Sequence, residues 1–385
     1  SYLELPKLME EMTGVAPDLL WALMFSLYGH WQGIKDTDAR TAPGPIEFDT
    51  YFTQKCKFSR AESERFFSLF ADDAATHHQR LASRGCGKES MKPYDILSFE
   101  DKPLVVVNEM VCCTSVRLLL SKLTRGLHYI FLNGIKSTKT RDRYLTYIGH
   151  VFADYVHRIW ERAFPSSTRR YVSGEALEHH AAGKVKVCDG AIVYPDAVIL
   201  IESKATLLPL EVRTVADWEA YELKTESMFI KAAAQFEATI KEIEAGRYRT
   251  LGLDPARVRI YLPIVACLEN LPMNLLFYDK LYTELSRRGL LQQAKVRPMQ
   301  VLDVGECEFL EVAVNQACNI HELLEEKVSS NEYRYESFGN YCLRRGYKFA
   351  HSANGYLVNL FSKVSERAEE LIRSMEKDQS TGQNR

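Results

Sequence analysis

The sequence predicts an α/β fold, with a mixed-sheet core flanked by helices, a mostly helical domain before it and a helical extension after it. Two observations carry that prediction. Between residues 141 and 310 helical and strand patterns alternate, which lays helices against a sheet rather than against one another. On either side of that stretch apolar residues recur mainly at helical spacing. A chain of 385 residues is also too long for one average core. The expected parts are residues 1–140 for the N-terminal domain, 141–318 for the core and 319–385 for the extension.

At 46% hydrophobic and 26% charged residues the composition is that of a globular protein, not a disordered or fibrous one. A net charge of −2 excludes the global basic field of a tail-driven nucleic-acid binder, so any polyanion site has to be local. The nine cysteines form no CxxC pair, and an odd count argues against a disulfide framework; they read as reduced, intracellular thiols. The apolar run LLWALMFSLY is about half the ~20 residues that span a bilayer, so it is expected to be a core helix, with no membrane partner. Neither GxxxxGKS/T nor GxGxxG occurs, which leaves ATP and dinucleotides without support.

From the N-terminus, LPKLMEEM and APDLLWALMFSLYGHW read as helices. SRAESERFFSLFADDAATHHQRLAS reads as a third, with Ser59 as N-cap and Glu62 three residues on. TAPGPIEF is a loop by its prolines and glycine, PLVVV a short strand, and a helical pattern follows from about 110 to 135. The core opens with the helix RDRYLTYIGHVFADYVHRIWERAF, whose apolar stripe runs through Tyr144, Ile148, Phe152, Val156 and Ile159 and which stops at Pro165. VKVCDGAIV and AVILIESKA are strands joined by a Tyr-Pro-Asp turn. A long helix over 215–245 ends at Gly246, RVRIYLPIVAC is a buried strand, LLFYDKLYTELSRRG a helix and VRPMQVLDV another strand. The closing KDQSTGQNR is expected to be disordered.

The hairpin carries the chemistry. A turn between Pro195 and Asp196 pairs Tyr194 with Ala197 and Val193 with Val198, which puts Asp189 opposite Glu202 with Cβ atoms about 4.5–5.5 Å apart. Lys204, two residues beyond Glu202, shares that face. Val187, Ile192, Val193, Val198, Ile199 and Leu200 are apolar on both parities, as in a strand covered on both sides. Two carboxylates in such a place repel, and their pKa values rise unless a cation neutralises them. A hard divalent ion such as Mg2+ (or Mn2+) fits, because it accepts one or two carboxylates and keeps waters for a phosphate.

Asp189 and the hydrophobic strand ending Glu202-Ser203-Lys204 resemble the PD-(D/E)xK phosphodiesterase superfamily, whose fold is restriction-endonuclease-like. The resemblance covers roughly residues 141–310 and rests on context: a helix before the hairpin, the IExK ending, and a later helix bearing Gln235 in KAAAQFEA. It implies that Asp189, Glu202 and the Ser203 carbonyl ligate the metal and that Lys204 orients or activates the attacking water. Gln235 would be the polar residue many members place on that helix. The stricter Gln-x-x-x-Tyr form fails, because position 239 is Thr. Many members also carry a glutamate in a Gly-x-x-Phe-Glu pattern, and here Gly149, His150, Val151 and Phe152 are followed by Ala153. Either Asp154 or His150 substitutes, or the site uses one metal, or Ala153 silences the chemistry. One residue along a helix turns a side chain by about 100°, so Asp154 is no simple replacement.

Residues 121–143 hold six Lys or Arg against the single acid Asp142. Lys139, Arg141 and Arg143 among them, and Lys184 and Lys186 before the hairpin, are the candidate nucleic-acid contacts; a solvated helix face and loop account for the first group at least as well. His77-His78 and His179-His180 lack zinc-site spacing; Tyr171 and Glu175 precede the hairpin and could line the cleft, with strand and loop residues as the default reading. The expected function is a metal-dependent nuclease hydrolysing phosphodiester bonds of DNA, with RNA as the other substrate, in DNA repair or defence against foreign DNA. The expected location is the cytoplasm, nucleoid or nucleus, with a protein partner held through the helical regions. The alternative is a catalytically silent nucleic-acid-binding or scaffolding module that keeps the fold.

Overall fold

The computed structural model describes residues 4–32, 44–55, 58–83, 97–165, 169–183, 185–205, 218–269, 271 and 275–382. Contacts divide the chain into two units, Ser1–Leu145 with Asn359–Arg385, and Thr146–Val358. The stretch expected as a separate extension is therefore shared between them. Ile320, Leu324, Val328, Phe338 and Tyr341 are buried in the core of the second unit.

The first unit is helical but also holds a sheet of β1 (Ile46–Glu47), β2 (Ala71–Asp73), β3 (Leu104–Val107) and β4 (Met110–Cys113), in the order β1-β4-β3-β2. Three expectations fail here. Ile46–Glu47, expected as part of the loop TAPGPIEF, pair antiparallel with β4 as β1. The helix expected to run through 59–83 is broken: Ser59 and Glu62 do form the capping box of Arg60–Phe70, but Ala71–Asp73 leave the helix to pair parallel with β3 before Ala74–Ser83 resumes it. The helical pattern expected from about 110 begins instead with β4. It is joined to β3 by a tight turn in which Asn108 and Glu109 take the left-handed backbone region that hairpin turns of this kind require.

The second unit is built on a five-stranded sheet: β5 (Arg170–Ser173), β6 (Gly190–Val193), β7 (Ala197–Lys204), β8 (Ile260–Cys267) and β9 (Gln300–Asp303), in that order. β5, β6 and β7 are antiparallel neighbours, whereas β7, β8 and β9 run parallel. The parallel pairs need crossovers, and the helices Trp218–Glu244 and Leu275–Arg287 supply them. Both lie on one face, where Phe229, Phe236, Phe277 and Leu281 pack on Val198, Leu200 and Val265. The other face carries Phe152, Val156, Ile159 and Trp160 of the helix Thr138–Ala163, which meet Ile192, Ile199 and Ile201. Alternation along β7 thus splits its side chains between two apolar layers, which is why the strand reads apolar on both parities.

The hairpin has the expected register, with Val193 opposite Val198 and the Tyr194 N–H donating to the Ala197 carbonyl at 2.9 Å. Its first strand is shorter than expected, beginning at Gly190 rather than Val185. The C-terminal tail is also corrected: the helix Gly355–Gly382 takes in most of KDQSTGQNR. Polar residues with few helix breakers extend a helix as readily as they leave it. Among the described residues no helix is long and apolar enough to cross a membrane.

Candidate metal site at the hairpin mouth

The site forms where the β6–β7 ladder ends. In the observed register Tyr194/Ala197, Ile192/Ile199 and Gly190/Ile201 are the hydrogen-bonded pairs, so the next would be Cys188 with Ser203. That pair is replaced by side chains. The Ser203 N–H donates to Asp189 Oδ2 at 2.7 Å, and the Cys188 N–H donates to Thr239 Oγ1 at 2.9 Å. Asp189 therefore lies just beyond the strand with its carboxylate turned to the backbone of β7. The Cys188–Ser203 pairing is thus given up to these two side chains, and β6 begins only at Gly190.

Glu202 and Lys204 project to the same face of β7 as Leu200, toward the helix Trp218–Glu244. Lys204 Nζ donates to Glu202 Oε1 at 2.5 Å and stands 3.4 Å from Gln235 Oε1. Gln235 is held in turn, its Nε2 donating to the Val187 carbonyl at 3.1 Å. Glu202 is 2% exposed, and its second oxygen, Oε2, is buried without a hydrogen-bond partner among the described residues. Burial and then the neighbouring Asp189 carboxylate push the Glu202 pKa up to about 7, against the pull of Lys204. Burial also raises Asp189, opposed by the Ser203 N–H and by Lys204 and Lys186.

A divalent cation fits this donor set. The orphaned Glu202 Oε2, the adjacent Asp189 carboxylate and the Ser203 carbonyl are hard oxygen donors. That carbonyl points to the same side of β7 as the Ser203 N–H, because the two groups of a strand residue share a direction. Among the described residues no cluster of three or more His, Cys, Asp or Glu able to hold a metal occurs, so a cation here would keep several waters.

The structure thus brings together Asp189, Glu202, Ser203, Lys204 and Gln235, with exposed Lys186 close enough to act on Asp189. Lys184 lies outside the described residues. Lys139, Arg141 and Arg143 are exposed in the first turns of the helix Thr138–Ala163 and belong to the other unit. Lys122, counted in the same basic stretch, is instead buried and paired with Asp101 at 2.8 Å. Asp154 pairs with Arg158 at 2.9 Å, and Ala153 and His150 sit on the helix that covers the sheet face opposite Glu202. Neither Asp154 nor His150 contacts Glu202 among the described hydrogen bonds and ion pairs. One contributor escaped sequence reasoning, Thr239, while Tyr171, weighed as a cleft residue and read by default as strand, lies in β5 against Gly190. Thr239 had a signal, since it stands four residues after Gln235 and therefore on the same helix face.

No protein-family model, no curated protein and no solved structure matches this chain.

Proposed function

We propose that the second unit is a metal-dependent nuclease of the PD-(D/E)xK kind, with a restriction-endonuclease-like core, hydrolysing DNA phosphodiester bonds with Mg2+ or Mn2+. The observation that carries this reading is the orphaned, buried Oε2 of Glu202 beside Asp189, with Lys204 donating to the other oxygen and standing beside Gln235. Leaving a buried carboxylate oxygen unpaired costs about 1–3 kcal/mol or more, a cost that a bound cation removes. The mixed sheet supports the fold assignment: a hairpin followed by parallel strands, covered by helices on both faces.

In this reading Asp189, Glu202 and the Ser203 carbonyl hold the cation, and Lys204 places an ammonium beside the attacked phosphate. When bound, the cation would supply Lewis-acid stabilisation of phosphate charge and a lowered pKa for water. The Lys204 ammonium adds positive charge where the pentavalent phosphate gathers negative charge, and it keeps a nucleophilic water oriented. Gln235 fixes Lys204 from the helix side. Lys186 at the rim favours an approaching polyanion.

The test is cleavage of plasmid and single-stranded DNA with Mg2+, Mn2+ or EDTA, by the wild type, Glu202→Gln and Ala153→Glu. EDTA-sensitive cutting by the wild type and none by Glu202→Gln is the expected result. Activity only in Ala153→Glu would identify position 153 as what silences the chemistry. One observation favours a silent binding module as the second reading: the family's helix glutamate is Ala153 here, and no third acid joins the pair among the described residues. DNA binding without cutting by any of the three proteins would select it.

A further inference from the structure

We propose that Tyr171 is a positioning residue that fixes Asp189 for cation binding through the fit of its ring over Gly190. The inference rests on the reading of Asp189 and Glu202 as a cation site. The β6–β7 ladder stops at Gly190, so β7 no longer pairs with the backbone of Asp189, and what holds it lies on the β5 side. Two donors there hold it. Tyr171 Oη donates to the Asp189 carbonyl at 3.2 Å, and the Gly174 N–H donates to the same oxygen at 2.8 Å. Both lone pairs of that carbonyl are then engaged, while the Ser203 N–H engages the side chain.

Two glycines make this clamp sterically possible. A Cβ at position 190 would lie 2.3 Å from Tyr171 Oη and within 2.7 Å of its ring carbons, so any side chain there displaces the ring. A Cβ at position 174 would meet the Asp189 carbonyl oxygen at 2.8 Å. The Tyr171 ring also meets the His157 ring, tilted by 59° with 5.0 Å between centroids, and His157 is itself paired with Glu161 at 3.0 Å. A buried tyrosine hydroxyl takes a hydrogen-bond partner in any case; what gives this one a consequence for the site is that its partner is the main chain of Asp189. Partners that orient ligands in this way typically change metal affinity 10–100-fold when removed.

Tyr171→Phe keeps the ring and deletes one hydrogen bond. Calorimetric titration with Mn2+ should give roughly tenfold weaker binding than the wild type, with the thermal midpoint and the DNA KM unchanged. Gly190→Ala should lower both the Mn2+ affinity and the thermal midpoint, because the ring is pushed out. Combining Gly190→Ala with Tyr171→Leu should restore the midpoint and leave Mn2+ binding weak. Tyr171→Phe binding Mn2+ as the wild type does, while Glu202→Gln loses it, would overturn the positioning role alone, as would recovery of Mn2+ affinity in the double variant. A wild type that takes up no Mn2+ would overturn the cation site and this proposal with it.

Discussion

Lys204 does two things that pull in opposite directions. Its ammonium neutralises Glu202 through a 2.5 Å contact, which makes the buried carboxylate tolerable, and it occupies one of the two oxygens a cation would use. Lys204→Ala should therefore cut turnover by roughly 100-fold or more, since a positioned charge acts mainly in the transition state. DNA affinity should change little, and Mg2+ should saturate at lower concentration because one competitor is gone. Rates measured against both Mg2+ and DNA concentration check this; a Lys204→Ala protein that cuts normally would remove the residue from the site. The sequence pairs Asp189 with Glu202 across the strands, whereas the ladder ends at Gly190 and Ile201 and the Asp189 carboxylate accepts the Ser203 N–H instead. Nothing in a one-dimensional pattern distinguishes a carboxylate facing its cross-strand neighbour from one turned into the backbone.

The hairpin was the most legible element, and the reason is its turn. Pro195 and Asp196 fix the register, and β-branched residues on both parities declare a covered strand. The β3–β4 hairpin was not legible, because Asn108-Glu109 lacks the glycine that usually marks such a turn. β2 was hidden for another reason: Ala71–Asp73 continue a helical pattern, and only pairing to β3 makes them a strand. The start of the helix Val304–Asn315 was equally unforeseen. Its capping box joins Asp303 and Glu306, and the Glu306 carboxylate also accepts the Phe338 N–H. Burial, more than Asp303, pushes the Glu306 pKa up to about 7 from an ordinary 4.5. Between those values the folded chain holds a proton that the unfolded chain has released, so stability falls as pH rises through that window. The slope from this one group is at most about 1.4 kcal/mol per pH unit. Thermal unfolding from pH 4.5 to 7 should show a shallower fall in Glu306→Gln than in the wild type. Some fall should persist, because Glu202 shifts in the same direction. Parallel curves for the two proteins would mean that Glu306 is not the group titrating.

At the scale of the whole chain, two units share out the expected functions. The pair of acids, Lys204, Gln235 and Lys186 belong to Thr146–Val358, while the exposed Lys139, Arg141 and Arg143 belong to the unit that also takes in the chain's C-terminal residues. With a net charge of −2, neither attraction to DNA nor solubility is dictated by the global field, and local charge has to do the work. The three-part division read from periodicity failed where elements distant in sequence meet: Ile320, Leu324 and Phe338 complete the same apolar layer as Phe152 and Ile199. Periodicity reports that a helix has an apolar face, not which sheet receives it. All functional consequences converge on whether Asp189 and Glu202 bind a cation. Isothermal titration of Mn2+ into the wild type and Glu202→Gln measures that directly, without substrate or turnover. Uptake at one site in the wild type, weakened at least tenfold in Glu202→Gln, is the expected result. Equal uptake by the two proteins, or none by either, would contradict the account.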